Sequence, residues 1–288
     1  MIMKNAIIAL SLSVLFSQND TTFIRDFYQY DLNEYQSLEM ELNFGLGELN
    51  ISVNDKPKTI SGIIEYDLKR TETDVKFSSN YGVAVLSING ETGNFQFGDN
   101  SINFDFDDDY HNALDFQLAK DIPTDLQMDF GLGEATIDLS DLSLSYFEID
   151  CGLSDVNLEL NKPNNIICER VSISSGLGEF NGIGLGNLNT KKFNLDVGLG
   201  AAMIDLRGKY DEDMDLSIDV GLGALELILP KNVNIKLRID HSFLSSVDVD
   251  GLLSKGNNKY VSKDWDNARP TITGDISVGI GAVDVEVD

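Results

Sequence analysis

The sequence predicts an all-β protein, and more narrowly a right-handed single-stranded β-helix, a solenoid with coils of about 22 residues and Gly-x-Gly corners. Three observations predict it. Ile, Leu, Val and Phe alternate with Asp, Asn, Ser and Thr at the strand period, while long helix-period apolar runs are absent. One unit, apolar-x-apolar-Gly-Leu-Gly-x-apolar-x-apolar, recurs with local variation at Gly45, Gly131, Gly152, Gly176, Gly198, Gly221 and Gly279. From Gly131 onward the first copies lie 21, 24, 22 and 23 residues apart, the spacing of solenoid coils.

The elements follow in chain order. Residues 1–17, MIMKNAIIALSLSVLFS, set Lys4 ahead of an apolar run from Ala6 to Phe16 that is too short to span a bilayer and suits a secretory leader. Residues 18–35 are polar and aromatic, with Phe23, Phe27, Tyr28 and Tyr30, and read as a linker or N-terminal cap. Residues 36–130 hold one good copy, LNFGLGELNISV, then less regular strands such as TDVKFSS and GVAVLSI. In the same module the acidic stretch NFDFDDDYHN, with Asp105, Asp107, Asp108 and Asp109, reads as a solvated turn. Residues 131–288 carry the regular repeats, including a degenerate copy near RIDHSFLSSVDVDGL and an insertion at about 251–270. No Gly/Ser-rich or Pro-rich linker divides the halves, so one continuous solenoid and two modules joined at about 125–130 are both compatible.

Within each unit the parity of the apolar positions changes at the glycines. Met128, Phe130 and Leu132 share one face of an extended chain, whereas Ala135, Ile137 and Leu139 fall on the other. A chain that buries both sets must bend between them, and Gly131 and Gly133 supply the corner or bulge. Coils stacked at about 4.8 Å would then place Leu132, Leu153, Leu177, Leu199 and Leu222 in an interior ladder, and roughly ten coils would make a rod near 50 Å long. The last strand, Gly281 to Asp288, carries Asp284, Glu286 and Asp288 and reads as charged protection of an edge. A β-sandwich of hairpins with glycine bulges uses the same residues and is the alternative.

A formal charge of −27 repels phosphate backbones and argues against nucleic-acid partners. Gly182, Gly184 and Gly186 in GIGLGNLN resemble a dinucleotide fingerprint, but strand residues in place of a helix follow the glycines. His111 and His241 lie in unrelated segments without ligand-like spacing. Cys151 and Cys168 either close a disulfide, contributing roughly 3 kcal/mol on the chain-entropy model, or are two buried apolar residues. The position two residues before each first glycine is Asn43, Asp129, Asp150, Ser174, Asp196, Asp219 and Ser277, so a parallel stack puts Asp129 over Asp150 and Asp196 over Asp219. Such like-charge pairs would be relieved by a divalent cation, although hydrated aspartates explain the same residues and the repeat-toxin calcium consensus is missing. No catalytic, cofactor or metal site is assigned.

The runs LEMELNFGLGELNISV, DIPTDLQMDFGLGEATIDLSDLSLSYFEIDCGLSDVNLEL, VGLGALELILPKNVNIKLRID and ISVGIGAVDVEVD resemble the bacterial toast-rack proteins over roughly residues 36–288. These include exported proteins with a toast-rack N-terminal domain and the C-terminal domain of LiaF-type envelope-stress proteins. The resemblance implies a single-stranded β-helix and a non-enzymatic role at the periplasm, envelope or cell surface: a scaffold, an adhesin or a ligand sensor with an envelope protein or polysaccharide as partner. A carbohydrate-active β-helix enzyme and a cation-binding surface repeat are the alternatives. Unlike LiaF-type proteins, the sequence has no transmembrane segment after its leader.

Overall fold

The computed structural model describes residues 9–18, 21–67, 71–92 and 112–288. Seven long strands form the body: β3 (Ser37–Val53), β8 (Pro123–Asp138), β9 (Ser143–Glu159), β10 (Arg170–Ile183), β11 (Lys192–Asp205), β12 (Met214–Leu229) and β17 (Thr271–Val287). Each bends at its glycines into two arms. Neighbours are parallel and in register, so that Leu46, Leu132, Leu153, Leu177, Leu199, Leu222 and Ile280 stand one above the next. A one-residue slip would turn both apolar faces outward, and this fixes the register.

Each end of the stack is closed by less regular strands. Below β3, its first arm pairs with β6 (Val83–Thr92) and its second with β7 (Ala113–Leu118). β5 (Thr71–Asn80) lies antiparallel to β6. On the other side, β4 (Thr59–Asp67) pairs with β7, β2 (Thr21–Asp31) with β4, and β1 (Ala9–Gln18) with β2. Part of the expected leader is thus strand β1, and residues 1–8 lie outside the described residues. At the opposite end β13 (Asn234–His241) and β14 (Ser245–Val249) flank the two arms of β17, forming the degenerate rung expected near RIDHSFLSSVDVDGL. A hairpin of β15 (Leu252–Gly256) and β16 (Lys259–Ser262) extends β13. The stack from β6/β7 to β13/β14 is nine layers deep, about 38 Å at 4.8 Å per layer, shorter than the rod expected.

Both arms of each rung face one core. The inward residue before the corner runs Phe44, Phe130, Cys151, Ser175, Val197, Val220, Val278, and the first inward residue after it runs Leu49, Ala135, Val156, Phe180, Ala202, Leu225, Val283; all are buried. Sizes compensate within several rungs: Phe130 faces Ala135, and Ser175 faces Phe180. This keeps the volume at each corner close to what a packed interior allows. Phe44 and Phe130 stack at 6.2 Å between ring centroids.

Three expectations change, and one left open is decided. The leucine ladder is not interior: Leu153, Leu177, Leu199 and Leu222 are about half exposed, Ile280 is 44 % exposed and only Leu46 is buried. The inner angle of each corner is already filled by the residues on either side, such as Phe130 and Ala135, so the leucine between the glycines projects from the outer apex. The last strand is not an edge, because β17 sits between β12 and β13/β14 with partners on both sides. After Gly184 the chain forms a single 3-10 turn, Leu185–Leu188, rather than strand; Leu185, Gly186 and Leu188 are buried, and no phosphate-binding helix begins there. Of the two readings of the cysteines, the structure has the second: Cys151 and Cys168 are both free and buried. Cys151 lies over Ser175, whereas Cys168 sits two residues before Arg170, the partner of Tyr146, so the two cysteines are some seven strand residues, about 23 Å, out of line.

Candidate binding surface

The corner geometry begins with glycine. Gly133 has φ 135°, and a Cβ there would lie 1.9 Å from the carbonyl oxygen of Gly47 in the rung below. A side chain is therefore excluded by both backbone angle and contact. With glycine on either side, or Gly152 and the small Ser154 on either side of Leu153, the leucine at the apex has no bulky neighbour along its own strand. Its partners in the stack are the leucines above and below, about 4.8 Å away. The outcome is an exposed apolar stripe from Leu153 to Ile280, with Leu132 half-buried at its start, continued past β17 by Phe243, 94 % exposed, and Leu244, 55 % exposed. These two occupy the corner of the β13/β14 rung, where Ser242 replaces the first glycine; its Oγ donates to the carbonyl of Gly279.

Carboxylates line the stripe. On the first arm stand Asp129, Asp150, Asp196 and Asp219, all exposed, with Asp129 registered on Asp150 and Asp196 on Asp219 as expected. Burial first, and then the charge of Asp150, raises the pKa of Asp129; burial and the charge of Asp219 raise that of Asp196. On the second arm Glu48, Glu134, Asp155 and Glu179 flank the first rungs, and Ala201, Ala224 and Ala282 take that position in the last three. Asp155 accepts the backbone N–H of Glu179 at 3.1 Å. The stripe is thus narrow and bordered by acid on both sides at one end, and wider and acidic on one side only at the other.

Other expected sites are not assembled. Among the described residues no group of three or more His, Cys, Asp or Glu is placed to hold a metal ion. His111 and Asp105, Asp107, Asp108 and Asp109 lie outside the described residues. His241 is exposed, with Nδ1 3.2 Å from the carbonyl oxygen of Ser242. Burial, then the charge of Asp150, pushes the Cys151 thiol up to about 12, which keeps it protonated and unreactive. A shallow groove of about 550 Å³ runs along the first arm past Asn43, Asp129 and Asp150, and none of its lining residues is basic. The leucine stripe went unread in the sequence because straight-strand parity assigns Leu132 to the face of Phe130. The signal that would have shown it is the paired glycines, which mark the bend at which that parity stops.

The chain matches the family described as the N-terminal domain of toast_rack, DUF2154, over residues 17–181, more than half its length, and it belongs to that family. No curated protein sequence matches it. Among solved structures it is similar to a "putative cell adhesion protein" from Clostridium sporogenes ATCC 15579, at 20 % identity and TM-score 0.50, covering 92 % of this chain and 99 % of that one. A "putative adhesin" from Bacteroides fragilis NCTC 9343 matches at 12 % identity and TM-score 0.38, covering 91 % and 96 %. The first likeness shows a shared fold. Among the described residues no helix is long and apolar enough to cross a membrane.

Proposed function

We propose that this is an exported, non-enzymatic, adhesin-like protein of the cell envelope, built as a right-handed β-helix that docks through its leucine stripe. The observation that carries the reading is the stripe itself. Five stacked apolar side chains, Leu153, Leu177, Leu199, Leu222 and Ile280, are held in the open at the corners rather than folded into a core. Contiguous exposed apolar surface of this kind, rimmed by polar groups, marks a protein-binding face. The adhesion protein of the same fold supports the reading at the level of architecture.

The flanking charge selects the partner. Two copies of this chain meeting stripe to stripe would bring Asp129, Asp150, Asp196 and Asp219 against like charge, and an anionic membrane would be repelled in the same way. The complementary partner is a protein with an apolar row bordered by Lys or Arg. An amphipathic helix fits, since its apolar side chains recur about every 5 Å along its axis, close to the 4.8 Å rung spacing.

The test compares the full chain with a Leu177→Ser/Leu199→Ser/Leu222→Ser variant in adhesion to isolated envelopes and in binding to a synthetic basic amphipathic helix. Since these leucines are about half exposed, the variant should melt close to wild type while binding falls at least tenfold. Undiminished binding to both would overturn the proposal.

A further inference from the structure

We infer that the outer face of the β13–β16 cap is a binding site for an acidic sugar residue of a polysaccharide, separate from the leucine stripe. In a chain of net charge −27, four cations converge on one cleft of about 270 Å³: Lys236 and Arg238 from β13, Lys255 from β15 and Lys259 from β16. Val261 and Thr273 line it as well, and so does one carboxylate, Asp275. The strand pairing sets these groups side by side. Arg238 is the register partner of Lys259 on one side and of Asp275 on the other, and Lys236 lies between Val261 and Thr273.

Two features separate this cluster from an ordinary solvated surface. Arg238 and Lys259 are like charges directly opposite on paired strands, an arrangement that destabilises a sheet; Asp240 and Asp275 offset Arg238, and an anion in the cleft would offset Lys259. Arg238 pairs with Asp240 at 2.5 Å, but Lys236, Lys255 and Lys259 make no ion pair among the described residues. Protection of a sheet edge accounts for Lys255 on the terminal hairpin. It does not account for Lys236 and Arg238, because β13 is paired on both sides and has no edge there to protect.

The remaining lining groups choose among anions. A bare phosphate would be opposed by Asp275, whereas a sugar presents hydroxyls that the Asp275 carboxylate and the Thr273 hydroxyl accept and donate to. Val261 offers an apolar patch to the C–H face of such a ring. The cleft is small for a ligand pocket, the size for a single residue of a chain rather than a drug-sized molecule. An extended polyanion such as nucleic acid is disfavoured, since the rest of the molecule repels it.

The experiment titrates the full chain calorimetrically with polygalacturonate, dextran, polyglutamate and inorganic phosphate. Polygalacturonate should bind, more weakly as salt rises, and dextran should not. A Lys236→Gln/Lys259→Gln variant should lose at least tenfold in affinity with unchanged circular dichroism. If that pair fails to fold, Lys255→Gln on the exposed hairpin should still weaken binding severalfold. Asp275→Asn should weaken the polysaccharide and strengthen phosphate. Failure of polygalacturonate to bind, equal binding by the folded variants, or polyglutamate or phosphate bound as tightly as the acidic sugar would overturn the inference. Retention of polygalacturonate binding by the leucine-stripe variant is expected, so the two proposals fail separately.

Discussion

Gly133 shows how closely single residues are specified in this fold. Its φ of 135° and the 1.9 Å approach of a built Cβ to the Gly47 carbonyl oxygen leave a β-branched side chain no accommodation short of moving a rung. Gly133→Val should therefore lower stability by about 3 kcal/mol or more, combining backbone strain with steric displacement. Urea unfolding would measure it, and a variant as stable as wild type would remove the corner argument. Asp196 acts in the opposite sense. Its carboxyl pKa is raised in the folded chain, so folding is opposed while the group is charged. Stability from this source is recovered as pH falls through the range between the usual value of 3.8 and the raised one. Asp196→Asn should consequently stabilise the protein at pH 7, by no more than a few tenths of a kcal/mol because the exposed carboxylates are screened by solvent, and the gain should vanish at acid pH once the Asp196 carboxyl is protonated. Loss of stability in the variant at pH 7 would contradict the repulsion. Both residues were legible from the repeat alone, because glycine spacing and aspartate position are properties of the sequence. The outward leucine was not, because its direction depends on the space already taken by Phe130 and Ala135.

At the scale of elements, the less visible determinants are asparagines in the segments between rungs. Asn164 is buried; its Oδ1 accepts from the Leu144 N–H at 3.0 Å and its Nδ2 donates to the carbonyls of Leu144 at 2.7 Å and Leu188 at 3.2 Å. One side chain thus ties together three successive coils. Asn164→Leu should cost about 2–3 kcal/mol, since it strands buried backbone groups that no water replaces. Thermal melting would register the loss, and an unchanged midpoint would show that the loops close by other means. Nothing in the sequence marks Asn164 apart from other loop asparagines; its role exists only once stacking brings Leu144 and Leu188 to it. The position of β17 was hidden for a related reason. Its acidic alternation reads as an edge, yet the excursion through β13–β16 leaves a slot beside β12 that only the returning chain can fill. Asp288 seals it: its N–H donates to the Leu229 carbonyl at 2.9 Å, and its carboxylate takes Arg207 and Lys231, each at 2.9 Å.

For the whole molecule, parallel in-register stacking makes the protein quasi-one-dimensional, each rung touching only its neighbours. That has a strict consequence for deletions. Residues 170–191 comprise β10 and its connecting turn, one full repeat, and Val171 pairs with Phe147 on one side and Phe193 on the other. Joining Glu169 to Lys192 would set β11 directly on β9, with Cys151 under Val197 and Val156 under Ala202, both apolar contacts. The shortened chain should fold with the same circular dichroism spectrum and a reduced melting temperature, since one interface is lost while the caps remain. Deleting 170–180 alone should abolish folding, because half a repeat leaves no corner to continue the stack and shifts the face of every inward residue by one. Equal behaviour of the two deletions would mean that the rungs are not interchangeable units. In that case the leucine stripe would owe its regularity to something other than repeat stacking, and its use as a ruler for a partner would lose its basis.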